Sequence, residues 1–339
     1  MTADANLVAY RPNTPFFNYT QHSVAEAVEI DPKLGPGIRI NGDDDNGNGV
    51  KDYHDTSTKS GGDDDLVRVD VLGSGTAFTL AWTTGRIKVW TTPTKTAAIA
   101  NGGSVTPGES IWVEYVSATH TTGASATMTL SASDASPGGT TTATDSVVFH
   151  SFRSVVIAIG GNSQDPSGFG DPNLGTFTMA GALYDQGYDV HMFAHDKVTS
   201  TGRGAAYNEV VSAVLKRNAD NVAIFGYSWG GGATYDLTKA LAANTKLAPA
   251  GYKLVFTAYV DGIRHNAISA EARLPVGTAY HDNFYQRNDF LLEGNSVAGA
   301  HNTNVTQTTW GKSLTHTTID DSPTLQSRLL SHLITRVVV

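Results

Sequence analysis

The sequence predicts two units, an all-β unit over residues 1–150 and an α/β unit with a mostly parallel, helix-flanked sheet over residues 151–339. Three observations predict it. Short stretches of alternating apolar and polar residues, separated by glycine- and proline-containing turns, fill residues 66–149. From Ser154 the pattern changes to continuous apolar runs interleaved with helically spaced ones. One of those runs, Val222-Ala223-Ile224-Phe225, passes through Gly226-Tyr227-Ser228-Trp229-Gly230 into a helix-like stretch, 232–241.

Residues 1–35 carry little pattern, with 23–30 a short strand or helix. A strand over 37–42 leads into an acidic loop. With Asp44 at loop position one, Asn46 falls at three, Asn48 at five, Gly49 at six, Val50 at seven, Asp52 at nine and Asp55 at twelve. This is the twelve-residue calcium loop with Asp in place of the closing Glu. Ca²⁺ takes six to eight oxygens, and alternate side chains plus the Val50 carbonyl can converge on it. Asp43 and Asp45 lie beside these ligands, and a second run containing Asp63 and Asp65 follows closely enough to complete the shell. Without a cation, so many adjacent carboxylates repel one another. No helices flank the loop, so the expected Ca²⁺ is structural, held in a β-unit. Alternating strands are then expected at 66–71, 77–82, 86–90, 110–116, 126–131 and 144–149, the pattern of an antiparallel sandwich. The acidic loop, the Asp run and the Ile87-Lys88-Val89-Trp90 strand together resemble the calcium-binding β-sandwich around the middle domain of peptidylarginine deiminases. The resemblance covers roughly residues 36–116; it implies a calcium-bound accessory unit and carries no deiminase activity.

In the second unit, strands are expected at 155–159, 188–193, 222–225 and 254–260, with a further one at 279–286. Helices are expected at 175–186, 205–217 and 232–241, and a last one opens at Ser322-Pro323. Tyr207, Val210, Val211, Val214 and Leu215 form an i, i+3, i+4, i+7, i+8 stripe. The pentapeptide Gly226–Gly230, lying between a strand and a helix, has the setting of a nucleophile elbow, with the Ser228 hydroxyl exposed at the carboxyl end of the sheet. A serine hydroxyl needs a positioned base, and the base an orienting carboxylate. Asp261 ends a parallel strand at the same sheet edge; Asp282 and Asp289 are its rivals. His281, His301 and His316 are candidate bases. His316 lies in the loop before the last helix, whereas His332 falls inside that helix.

Three features carry a second resemblance. They are Ile159-Gly160-Gly161-Asn162, Gly226-Tyr227-Ser228-Trp229-Gly230-Gly231-Gly232, and His316-Thr317-Thr318-Ile319-Asp320-Asp321. Residues 154–339 resemble an α/β-hydrolase of the lipase/esterase type. The resemblance implies Ser228, Asp261 and His316 as the triad, with oxyanion donors from the Trp229 amide and from Gly161 or Asn162. The commoner family pattern puts the acid one strand later than Asp261, and many lipases carry His where Trp229 stands. The implied activity is serine carboxylester hydrolysis. The unit is too short for a large separate cap, and only 262–301 has the length for a substrate wall, which suggests accessible esters, lipidic or polymeric. The competing reading is a non-catalytic surface-binding protein built on a hydrolase scaffold.

Composition bounds the rest. The net charge of −9 argues against nucleic acid and anionic membranes as partners. The absence of cysteine excludes disulfides and thiolate chemistry. No run reaches the length of a membrane span, and a monomer is expected. Low charge with abundant Gly, Ser and Thr points to a secreted or extracytoplasmic protein. Met1-Thr2-Ala3-Asp4 lacks the n- and h-regions of a signal peptide, so export would need another route or a leader already removed. The calcium assignment has a direct check. Adding EGTA lowers the melting temperature of the β-unit, and restoring Ca²⁺, but not Mg²⁺, recovers it.

Overall fold

A computed structural model describes residues 2–10, 29–30, 38–40, 67–92, 96–115, 125–151, 154–166, 171, 173–186, 188–215, 219–289 and 291–337. The chain divides into two compact units, 1–15 with 19–152, and 16–18 with 153–339. Among the described residues no helix is long and apolar enough to cross a membrane.

Among the described residues the first unit contains two sheets. One has the order β2 (Glu29–Ile30), β1 (Asp4–Tyr10), β4 (Val67–Ser74), β9 (Ser110–Tyr115), β6 (Ile87–Trp90) and β7 (Ala98–Ile99). The other has the order β3 (Ile38–Ile40), β11 (Gly139–Ser151), β10 (Ser125–Ser136), β5 (Ala77–Trp82) and β8 (Gly103–Ser104). Neighbours are antiparallel except β3, which runs parallel to β11. The alternation read from sequence has its physical counterpart in burial. Val69, Val71, Ile87, Val89, Ile111 and Val113 from the first sheet share one apolar cluster with Phe78, Leu80, Met128, Leu130, Val147 and Phe149 from the second. Two expectations change. Strand β1 forms where the sequence showed no pattern, because its partner β4 pairs with it from Asp4 to Ala9. The hairpin β10–β11 runs well beyond both expected cores, closing at Ser136 and Gly139. The candidate calcium ligands Asp43, Asp44, Asp45, Asn46, Asn48, Val50, Asp52, Asp55, Asp63 and Asp65 lie outside the described residues.

The second unit is an α/β unit around one six-stranded sheet. Its order is β13 (Val190–Phe193), β12 (Ser154–Ile159), β14 (Asn221–Tyr227), β15 (Lys253–Val260), β16 (His281–Tyr285) and β17 (His301–Asn304). Every neighbouring pair is parallel. The helices are α1 (Gly175–Asp185), α2 (Ala205–Leu215), α3 (Trp229–Ala242) and α4 (Pro323–Ile334). Strands β12 and β14 are buried at every position, because both faces of the sheet are covered. Val156 and Ala158 of β12 pack with Phe177 and Leu183 of α1 and Leu325, Leu329 and Leu333 of α4. Val155, Ile157 and Ile159 point the other way, against Val210 and Val214 of α2 and Leu237 and Leu241 of α3. Strand β17, with no apolar run in His301–Asn304, was not foreseen; it is an edge strand whose residues are exposed or half-buried.

The order reverses at β12, whose successor β13 lies on one side and β14 on the other. The carboxyl ends of β12 and β14 therefore mark the topological switch point, the usual ligand position in open parallel sheets. The turn from β14 into α3 requires its small residues. A Cβ on Gly226 would lie 2.2 Å from the Gly230 carbonyl oxygen, and one on Gly230 would lie 2.2 Å from that of Ile159. The helix also begins earlier than expected, at Trp229 rather than 232, so the Ser228 corner abuts its first turn directly. Gly230→Ala must push two backbones apart, a cost of about 1–3 kcal/mol from overpacking alone; urea unfolding of the variant shows the loss directly.

Candidate active site

Ser228 sits at the corner with φ 53° and ψ −122°, a strained backbone for a residue with a side chain. Three backbone hydrogen bonds hold it: Ser228 N–H donates to Val260 O at 3.0 Å, and its carbonyl accepts from Gly231 and Ile263, each at 2.9 Å. As the residue before α3 it would ordinarily cap the helix, but its side chain makes no cap bond. Its Oγ instead lies 2.8 Å from His316 Nε2, and His316 Nδ1 lies 2.7 Å from Asp261 Oδ2. The tautomer this chain of contacts requires has Nδ1–H donating to the carboxylate, leaving Nε2 to accept from the serine hydroxyl. The sequence reading put the Ser228 hydroxyl in the open. The residue is buried instead, 6 % exposed, and His316 is 5 % exposed. Tyr227 and the Gly161 backbone lie close against the serine.

Asp261 follows β15 with φ 46°. Its Oδ1 accepts from Gly294 N–H at 2.7 Å and Gln286 N–H at 3.1 Å, and its Oδ2 from Gln286 Nε2 at 2.9 Å as well as from the histidine. Both oxygens thus have donors besides the imidazole. The rival acids serve other partners. Asp282 bonds His332 Nδ1 at 2.8 Å. The Asp289 carboxylate accepts the backbone N–H of His316, holding the loop rather than the ring. The rival bases are also elsewhere. His281 is buried against Thr257, with burial pushing its pKa down to about 3, and His301 stacks on Tyr280 at 4.3 Å.

Tyr227, the variable residue before the serine, was overlooked in the sequence because an elbow pattern places no demand on it. Its hydroxyl donates to the His316 carbonyl at 2.6 Å, and its ring stacks on the imidazole at 5.3 Å. Burial, and after it the Asp320 carboxyl, pushes its phenol well above the usual range, so it stays a donor. On the other flank, Trp229 Nε1 donates to Ala267 O at 2.7 Å, and His195 meets the indole edge-on at 4.9 Å. His195 Nδ1 is 3.3 Å from His265 Nε2; burial, and then His265, lowers the His195 pKa. Neither histidine carried a sequence signal.

The amide of Trp229, first residue of α3, has no protein acceptor among the described residues, as expected for a helix N-terminus. The loop after β12 comes so close that a Cβ on Gly161 would be 3.0 Å from Ser228 Cβ. Gly161 and Asn162 are the two residues from which the sequence leads one to expect a second donor there. Gly161 N–H already donates to Gln164 Oε1 at 3.1 Å, whereas Asn162 N–H has no protein acceptor among the described residues.

Gln164 Nε2 in turn donates to Asp320 Oδ2 at 3.0 Å. Asp320 is 1 % exposed, and burial, opposed by the Gln164 bond and reinforced by Asp321, raises its pKa to about 7. Asp321 Oδ1 accepts from Gly175 N–H at 3.1 Å, so the pair caps α1, which has no acid in its own first turn. Among the described residues no cluster of three or more His, Asp or Glu is arranged to hold a metal ion.

Comparison of the chain with protein-family models finds no matching family, and comparison with curated proteins finds no matching relative.

The buried Asp320 carboxyl has a thermodynamic consequence. Its folded pKa lies above its unfolded value, so the folded state binds the extra proton between about pH 4 and about pH 7. Its contribution to stability is full below that window and is lost as pH rises through about 7. Melting temperatures across this range fall less steeply for Asp320→Asn than for the unmodified chain.

Proposed function

We propose that the chain is a serine hydrolase that cleaves carboxylic esters through a covalent acyl-enzyme. The observation that carries the reading is the unbroken contact series from Ser228 Oγ to His316 Nε2 and from His316 Nδ1 to Asp261, set on a strained turn between a parallel strand and a helix. Serine, acid and histidine also occur in the chain order of the α/β-hydrolases. Under this reading the second unit has the α/β-hydrolase fold of the lipase/esterase type, with the acid after β15 rather than after β16.

The chemistry follows from the geometry. Ser228 Oγ attacks the acyl carbon as its proton moves to His316 Nε2, and the imidazolium that forms is stabilised by Asp261. The charge developing on the carbonyl oxygen faces the Trp229 amide at the N-terminus of α3 and the Asn162 amide across from it. His316 then gives its proton to the departing alkoxide, leaving the acyl group on Ser228. A water loses a proton to the same Nε2 and attacks the acyl carbon; the carboxylic acid departs and the proton returns to Oγ. Tyr227 keeps the histidine in place through its carbonyl and its ring face, and Asp289 through its backbone amide.

The first unit, under the same reading, is a β-sandwich whose acidic loop holds structural Ca²⁺ through the carboxylates and amides named above. This rests on the spacing of those residues.

Ser228→Ala abolishes p-nitrophenyl ester turnover and labelling by a fluorophosphonate while leaving the melting temperature close to that of the unmodified chain. Labelling that persists in this variant assigns the nucleophile elsewhere. Comparing short with long acyl esters on the unmodified chain then defines the substrate class.

A further inference from the structure

The hydrogen bonds around Gln164 leave it a single orientation. Gly161 offers an N–H, so the side chain must turn its oxygen there. Its NH₂ is then directed at Asp320, whose carboxylate accepts it. Gln164 is buried, and its own amide donates to the Gly161 carbonyl at 3.2 Å. Its Cβ packs so closely on the loop that a Cβ on Gly160 would lie 2.9 Å away. Gly161 is therefore gripped at both its N–H and its C=O by one residue. Gripping the 160–161 peptide plane, and the 161 carbonyl with it, fixes the direction of the next N–H, that of Asn162. Asp320, at the far end of the bridge, stands four residues after His316 on the same loop.

We infer that Gln164 and Asp320 are positioning residues, bridging the histidine loop to the loop after β12 so that the Asn162 amide is aimed at the oxygen of the tetrahedral intermediate. The inference rests on the serine hydrolase reading and adds to it a device that aligns base and oxyanion donor through one buried carboxylate. Asp320 also caps α1, and a purely structural role there would account for a loss of stability. It would not account for a selective loss of transition-state binding.

The test uses the full chain, an activated ester and a boronic acid, which forms a tetrahedral adduct on the serine. Fluorophosphonate labelling of the unmodified chain at Ser228 comes first. Removing one oxyanion donor outright typically costs 10²–10³ in kcat, and a donor left in place but loosely aimed costs less. Gln164→Met, close in volume and without hydrogen-bonding groups at its end, is expected to lower kcat about 10- to 100-fold with KM within about twofold. Its boronate inhibition constant rises in parallel with the loss in kcat/KM. Asp320→Leu behaves like Gln164→Met, and Asp320→Asn, whose amide oxygen still accepts from Gln164, recovers most of the loss. If Asp320→Leu does not fold, Gln164→Met and Asp320→Asn decide the matter. Labelled Ser228 with unchanged kcat and boronate affinity in Gln164→Met overturns the bridge while leaving the hydrolase reading intact. A chain that neither labels nor turns over esters overturns both.

Discussion

The carboxyl edge of the parallel sheet depends on one backbone corner, Ser228 at φ 53° and ψ −122°. Such a conformation costs about 1–3 kcal/mol. Three backbone hydrogen bonds at the residue, from Gly231, from Ile263 and to Val260, contribute about 1 kcal/mol each and are of the right size to offset it. The corner also needs strand and helix backbones to touch where Gly226 and Gly230 face each other and Ile159. Because the corner is held, Oγ is directed away from the helix it would otherwise cap and toward an imidazole. Everything else at this edge is arranged around that direction.

Carboxylates surround the site, and their environments give them different work. Asp261 is saturated by backbone and amide donors, so it presents a fixed oxygen to the imidazole. Asp289 accepts the backbone amide of the same histidine. Asp282, on a neighbouring strand, is paired with a helix histidine and faces none of this. Asp320 is removed from water and titrates near neutrality, while Asp321 completes the cap of α1. Residue type alone does not distinguish them; which donors each one meets does.

The site is also more enclosed than a short unit without a separate cap suggested. Tyr227 ends β14, Trp229 opens α3 and Gly161 follows β12, and the tight connections there bring the Tyr227 ring and the Gly161 backbone against the serine. The connection from β15 to β16 adds the Ala267 carbonyl that anchors the indole. Enclosure here follows from close backbone approach, without a domain inserted for the purpose.

Much of this was legible in the chain itself, because periodicity and spacing are local. Burial on both faces of β12 and β14 is written as unbroken apolar runs, the two-sheet core as alternation, and the corner as Gly-x-Ser-x-Gly between a strand and a helix. Chain order and the loop before α4 singled out His316, and the strand end singled out Asp261. Strands β1 and β17 were not legible, since each is made by pairing with a distant partner rather than by its own pattern. The hold of Tyr227 on His316, the contact of the His316 ring with Asp261 and the occupation of the Gly161 amide by Gln164 were decided only when residues 89, 55 and 3 positions apart met. Sequence determines which groups a chain can offer and the local conformations that present them; which donor finds which acceptor is a property of the packed sheet, because a hydrogen bond is settled within a few tenths of an ångström and no residue spacing carries that precision.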